Sequence, residues 1–382
     1  MTLIYMVRHA EAEGNLYRRA HGQYDSSLTP KGLRQLDALA ERFRDTAVDA
    51  LYSSDLRRTM ATAAAVARYH PGLELQPDPR LREVDLGSWE DQPFGDLTYR
   101  YPEAMAAFND DPARWEAPGA ERYDELQRRI RGAVADIAAR NEGKTVVCVS
   151  HGMAIRALLC DVMGVPSAEV HRIPHGDNTA VSLLEVSPGG AMRVVFCNDG
   201  SHLPAALSTF ARQRWWTEPG AVDPGNVHFQ RLDPAKHPSR YLAFYKATWR
   251  AVHGDLRGFE PAFYILSATR SFEYDPDSIV TICRPDGETA GIIELDLRRA
   301  AAEGVGWICL CYVEERYRRA LLGVQLIGHA VSVCRRRGFH ALRLSVFAGN
   351  RGAIAFYEAE QFRTVGETEG VSGRLLIMEK EI

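Results

Sequence analysis

Leu3-Ile4-Tyr5-Met6-Val7-Arg8-His9-Ala10-Glu11 and, 142 residues later, Thr145-Val146-Val147-Cys148-Val149-Ser150-His151-Gly152 share one grammar: an unbroken aliphatic run that stops at a histidine. Runs apolar at every position, rather than at alternate ones, are what parallel strands covered on both faces look like. The amphipathic stretches Lys31 to Phe43, Leu56 to Tyr69 and Tyr123 to Asn141 supply the covering helices. The first half of the chain therefore reads as α/β. In such sheets chemistry collects at the carboxyl ends of the strands, where both histidines would stand.

Working outward, the whole chain has 382 residues, of which 46% are hydrophobic, 25% charged and 9% aromatic. That composition excludes a wholly disordered, collagen-like or fibrous chain. At about 150 residues per domain the length suggests two to three domains, and we read two. A formal net charge of -4, from 46 Lys+Arg against 50 Asp+Glu, offers no basic surplus for nucleic acid or an anionic membrane. No apolar stretch approaches the roughly 20 residues that span a bilayer, and the start Met1 to Arg8 is too short for a signal segment. The seven cysteines are odd in number and never in C-x-x-C spacing beside histidines, so we expect buried packing roles in a reducing cytoplasm.

From Leu203 to Asn226 the periodicity lapses among Pro204, Pro219, Gly220, Pro224 and Gly225, with Trp215-Trp216 between them. This reads as a linker over 204–226, separating a domain at 1–203 from one at 227–382, with the tryptophans docked on one of the two. The second segment reads as α+β. It has a strand at Val227 to Arg231, a helix at Ser239 to Val252, and a meander through Ile279 to Arg284, Thr289 to Asp296 and Gly306 to Val313. A long helix at Arg319 to Arg337, a strand at Ala341 to Phe347, a short helix at Arg351 to Glu360 and closing strands complete it.

Arg8-His9 puts a cation beside an imidazole at the mouth of a strand, with Asn15 shortly after. A neutral imidazole nitrogen can attack phosphorus, and guanidiniums offer paired donors to phosphoryl oxygens. His151 would add a donor. Ser54-Asp55-Leu56-Arg57-Arg58 enters a helix that sends an arginine towards the same sheet edge, and Leu81-Arg82-Glu83 offers a carboxyl for the leaving alkoxide. His21, His70, His171, His202 and His253 read as surface or loop groups, and His175 as a rim candidate.

In their order these parts resemble the histidine phosphatase superfamily, the phosphoglycerate mutase-like fold, over Thr2 to His202. The resemblance implies a three-layer α/β/α domain in which His9 is phosphorylated, Arg8, Asn15, Arg58 and His151 form the phosphate pocket, and Glu83 donates the proton, with no metal. The family spacing selects Arg58 over Arg57. Two departures are Ala10 and Asp91, where the family carries glycine. Glu83 and His151 are 68 residues apart, too close for the insertion that mutases of this family carry, which favours the phosphatase branch.

In the second segment a strand, Trp307 to Val313, turns through Glu314 to Leu321 into a helix, whose N-terminal N–H groups suit a pyrophosphate. Asn350, Ala353, Phe356-Tyr357 and Phe362 follow. Together they resemble the GCN5-related N-acetyltransferase (GNAT) family over Val227 to Ile382. The resemblance implies that Arg318, Arg319, Ala320, Leu321, Leu322 and Gly323 hold the acetyl-CoA pyrophosphate, that Asn350 contacts the cofactor, and that Tyr357, its phenol free, protonates the departing thiolate. Leu321 and Gln361 stand where the family has glycine. Glu294 or Asp296 could deprotonate the amine; Cys309 and Cys311 read as core. The expectation is a bifunctional cytoplasmic enzyme acting on a small phosphorylated metabolite and a small amine, with oligomerisation left open. The alternatives are a phosphatase with an inactive regulatory or structural second domain, or a mutase-type phosphotransferase.

Overall fold

The computed structural model describes residues 1–212, 225–371 and 373–382. Its first sheet is built from β1 (Thr2–Arg8), β2 (Ala50–Ser53), β3 (Leu75–Pro77), β4 (Thr145–Ser150), β5 (Val181–Val186) and β6 (Met192–Asp199), in the order β3-β2-β4-β1-β5-β6. β1 to β4 pair in parallel, whereas β5 and β6 run antiparallel at the β1 edge. The helices are α1 (Glu13–Tyr17), α2 (Pro30–Phe43), α3 (Arg57–Ala67), α4 (Phe94–Arg100), α5 (Pro102–Asp110), α6 (Tyr123–Arg140) and α7 (Gly152–Met163).

The unbroken apolar runs are explained by what covers each face. Ile4, Met6, Val146 and Cys148 pack with Leu126, Ile130 and Ile137 of α6 and Leu158 of α7. Val7, Val147 and Val149 pack with Leu39 and Phe43 of α2 and Val66 of α3. Alternate residues of one strand thus enter different cores, and the domain is a three-layer α/β/α sandwich. Local chemistry agrees: Thr29 Oγ1 accepts from Gly32 N at 2.9 Å and Pro30 occupies the first helical position of α2. The stretch from Phe94 to Trp115 contains α4 and α5, whose Phe108 packs at a tilt against Trp89 and edge-on to Trp115.

The chain divides between residues 223 and 224 into two compact units. The second has the sheet β12-β13-β11-β10-β9-β8-β7, from β7 (His228–Arg231), β8 (Ile279–Cys283), β9 (Thr289–Ala300), β10 (Val305–Val313), β11 (Ala341–Phe347), β12 (Arg363–Gly370) and β13 (Gly373–Glu381). Its helices are α8 (Pro238–His253), α9 (Pro261–Tyr274), α10 (Leu322–Arg336) and α11 (Arg351–Ala359). The expected meander is β8, β9 and β10; α9 is an element that the sequence reading did not name. The long helix begins at Leu322 rather than Arg319, because Arg319 and Leu321 take positive φ and break the helical path. The linker expectation is corrected in part: residues 207–210 are hydrogen-bonded into the first unit, while Trp215-Trp216 lies outside the described residues.

Asp91, Leu321 and Gln361, the three non-glycine residues at expected glycine positions that the sequence singles out in turns, all adopt the left-handed conformation, with φ of 57°, 58° and 68°. A non-glycine residue there costs roughly 1–2 kcal/mol. Asp91 recovers part of it through an ion pair to Arg19 Nε at 2.6 Å. Gln361, exposed just beyond α11, has no such compensation in side-chain pairing among the described contacts. Gln361→Gly should therefore stabilise the second unit by about 0.5–1 kcal/mol, read as a higher urea midpoint for its transition.

Candidate active sites

The parallel register that pairs Arg8 with Ser150 brings the next residues of β1 and β4, His9 and His151, side by side, with ring centroids 5.2 Å apart. His9 is 2% exposed. Its Nδ1 lies 2.7 Å from the Ala10 carbonyl. A carbonyl only accepts, so Nδ1 carries the proton and Nε2 keeps a lone pair able to attack phosphorus. Burial, and then the charges of Arg58, Arg8 and His21, push the His9 pKa well below the usual histidine range, holding it neutral.

Arg58 is fully buried at the start of α3. Its Nη1 donates to Tyr24 O at 2.8 Å, and its Nη2 to Gly22 O at 2.6 Å and to His151 Nδ1 at 3.1 Å. His151 therefore donates from Nε2 to Ser54 Oγ, at 2.9 Å, and in this state orients Arg58. Burial lowers the Arg58 pKa to about 10. The Glu90 carboxylate receives the N–H groups of Gly22, Gln23 and Tyr24 at 3.1, 2.8 and 2.9 Å, fixing the loop whose carbonyls hold Arg58. Arg8 donates to Gly176 O at 2.6 Å. The Nε atoms of Arg8 and Arg58 are buried without a hydrogen-bond partner. Two buried guanidinium donors without partners, on arginines beside His9, ask for an anion.

Glu83 sits at the start of α7, accepting from Met153 N at 3.0 Å and Ala154 N at 2.8 Å, and its charge is felt at both Arg8 and Arg58. Gly152 leaves room for the Arg8 guanidinium, since a Cβ there would lie 3.3 Å from Arg8 Nε. Asn15 is turned to the backbone: its Oδ1 accepts from Ala12 N at 3.1 Å and from Asn178 Nδ2 at 3.4 Å, so it shapes the loop after His9. One residue reaches further than the sequence reading gave it. His21, read as a surface or loop group, is half-buried with its ring 5.7 Å from that of His9, and a Cβ on Gly14 would strike it. His202 lies in a turn, half-buried, and meets Arg42 and Thr179. His175 stands near Arg156 and Phe210, as a rim residue would.

In the second unit β10 and β11 pair only from Val305 to Ile308 against Ala341 to Leu344, although both strands continue. The far halves, 309–313 and 345–347, make no ladder with each other. The turn from Arg318 to Leu321 leads into α10, and the left-handed φ of 58° at Leu321 preserves the backbone shape that glycine would adopt. Arg318 Nε donates to Val313 O at 3.1 Å, bracing the turn. Gly323 allows α11 to approach, a Cβ there standing 3.1 Å from the Phe356 ring. Asn350 caps α11, its Oδ1 accepting from Ala353 N at 3.1 Å. The Tyr357 phenol is buried close to Cys311, and burial pushes that thiol up to about 12. Cys309 is likewise held protonated by burial. Glu294 is buried on β9, accepting from Tyr241 OH at 2.7 Å, and burial raises its pKa to about 7. Asp296 instead accepts the N–H groups of Arg298 and Arg299.

The family model for the histidine phosphatase superfamily (branch 1) matches residues 4–200, just over half of the chain. The chain belongs to that superfamily. The acetyltransferase (GNAT) family model matches residues 242–361, which makes the second unit a GNAT domain. The phosphatase domain is 36% identical over 173 residues to a probable phosphoglycerate mutase GpmB of Yersinia pestis (strain Pestoides F), spanning 45% of this chain and 80% of that protein. Among solved structures it is similar to Bacillus stearothermophilus YhfR, at 32% identity and a TM-score of 0.51, covering 53% of this chain and 99% of that one. Among the described residues no helix is long and apolar enough to cross a membrane.

The neutral histidines carry a pH signature. Unfolded histidine binds a proton below about 6.5, whereas His9, His21 and His151 resist doing so in the folded state because of burial and the adjoining guanidiniums. The unfolded chain then holds more protons, so stability falls as pH drops through and below about 6.5, by up to about 1.4 kcal/mol per pH unit for each histidine. Urea unfolding at successive pH values should show this acid loss, and His21→Gln should reduce its slope by one proton's worth.

Proposed function

We propose that the phosphatase domain hydrolyses a phosphomonoester through a phosphohistidine on His9. The supporting observation is the fixed Nδ1–H of His9 beside two buried arginines whose Nε donors lack partners. Nε2 of His9 forms the N–P bond as the P–O bond to the leaving group breaks, and the departing alkoxide takes a proton from Glu83. Water then attacks the phosphohistidine, giving its proton to the Glu83 carboxylate, and inorganic phosphate leaves. Arg8 and Arg58 match the growing negative charge.

The probable mutase of Yersinia pestis supports a second reading, transfer of the phosphoryl group to another metabolite. The 68-residue spacing from Glu83 to His151 favours hydrolysis. The two separate in a phosphate-release assay over phosphorylated metabolites: hydrolysis gives free phosphate lost in His9→Ala, whereas a mutase gives isomerised product with little phosphate. Glu83→Gln should slow substrates with poor leaving groups far more than p-nitrophenyl phosphate, and equal losses would remove Glu83 from the acid role.

For the GNAT domain we infer acetyl-CoA binding and acetylation of a small amine. The splayed β10–β11 edge and the glycine-like turn at Leu321 fit that group. Residues Arg318 to Gly323 would hold the pyrophosphate. Bound acetyl-CoA supplies an activated thioester; Glu294 would take the proton of the amine and Tyr357 would give one to the sulfur. With a pKa raised to about 7, Glu294 becomes basic as pH rises, so transfer should increase through neutrality, and Glu294→Gln should remove that limb. Calorimetry with acetyl-CoA checks binding; binding without transfer to any amine would support a regulatory domain instead.

A further inference from the structure

The superfamily match ends at residue 200, yet the chain does not leave the phosphatase domain there. It runs back across the start of α2. Gln35 Nε2 donates to Leu207 O at 2.7 Å and to Thr209 Oγ1 at 3.2 Å. Ser208 Oγ donates to Asp177 Oδ2 at 2.6 Å, and Thr209 N to Asp177 Oδ1 at 3.1 Å. Thr209 Oγ1 donates to Glu11 Oε2 at 2.9 Å, and Glu11 is also paired with Lys31 at 2.6 Å. Both carboxylates adjoin the phosphate pocket: Glu11 is two residues past His9, and Asp177 follows Gly176, whose carbonyl receives Arg8. The strap ends with Phe210, its ring 5.5 Å from Arg8 Cζ and 6.5 Å from the His175 ring.

Arg8 has an orientation problem. Its described side-chain hydrogen bond is to the Gly176 carbonyl, and its Nε is buried with no partner. One hydrogen bond does not set the plane of a guanidinium. A carboxylate clamp would set it but would also cancel the charge that a phosphate needs. An aromatic face does the first without the second, because the ring quadrupole attracts a cation and carries no net charge. From this geometry we propose that Phe210 is a positioning residue of the phosphatase, holding the Arg8 guanidinium ready for a phosphoryl group, and that the strap 207–210 is a working part of that domain rather than linker. The proposal rests on reading the first domain as a phosphatase.

The test uses the full chain. Phe210→Leu keeps an apolar side chain and removes the ring face; Phe210→Tyr keeps the ring. Inorganic phosphate binding is measured by calorimetry in a His9→Ala background, which holds no phosphoryl group, and KM and kcat for p-nitrophenyl phosphate with His9 present. Phe210→Leu should weaken phosphate binding and raise KM by about 3- to 30-fold with kcat less affected, and Phe210→Tyr should restore both. Phosphate binding by Phe210→Leu equal to that of the parent overturns the proposal, as does equal weakening by Leu and Tyr, which would mark general disturbance of packing. Should Phe210→Leu fail to fold, as judged by circular dichroism, Thr209→Val loosens the strap while leaving the ring. A folded Thr209→Val protein with unchanged phosphate affinity then counts against the role. Failure of the phosphatase reading shows separately, as wild-type protein that releases no phosphate in a His9-dependent way.

Discussion

The parallel ladder between β1 and β4 is the constraint on which the phosphatase pocket depends. Hydrogen bonding in register from Leu3–Thr145 to Arg8–Ser150 makes both strands end at the same height, so that the histidines following them become neighbours. A slip of one residue would turn every side chain of β1 to the opposite face, sending Met6 towards the α2–α3 core and Val7 towards the α6–α7 core. The two hydrophobic layers therefore enforce the register, and the register sets the distance between imidazoles.

Within that frame the pocket concentrates positive charge in a buried place. Burying Arg58 completely is costly unless most of its donors are met, and the carbonyls of Gly22 and Tyr24 meet its two Nη groups while Nε stays open. Those carbonyls are in turn held by a loop whose N–H groups converge on Glu90. The protein thus supplies hydrogen bonds to the guanidinium without placing a carboxylate against it, so its charge is left for an incoming anion. The same field, added to burial, keeps the three clustered histidines neutral. For His9 that neutrality preserves the lone pair that phosphoryl transfer needs.

The two domains treat missing glycines alike. Asp91, Leu321 and Gln361 each occupy left-handed backbone although each carries a Cβ. From sequence, Leu321 looks like damage to a phosphate-binding turn, because residue type alone cannot tell whether the backbone follows the side chain's preference or the turn's. Packing decides: α10 buries Leu322, Val324 and the residues beyond, and this anchorage holds the preceding turn in a conformation that Leu321 would not choose alone. Tyr357 shows the converse. Its helix was legible from the N-x-x-A-x-x-F-Y spacing, but its burial close to Cys311 on β10 depends on two segments far apart in sequence.

The strand-end histidines, the three covering helices, the order of the phosphatase motifs and the strand-turn-helix of the GNAT domain were all legible, because hydrophobic period and local motif spacing are properties of contiguous chain. What only tertiary structure decided was which groups meet across the fold. His21 entered the pocket because Gly14 leaves room for its ring, Glu90 became the anchor of the Arg58 loop, and residues 207–210 returned to the site instead of departing from it. None of these has a local signature. Each rests on surfaces brought together by the sheet and its two helical layers, and a single chain read residue by residue contains no measure of that distance.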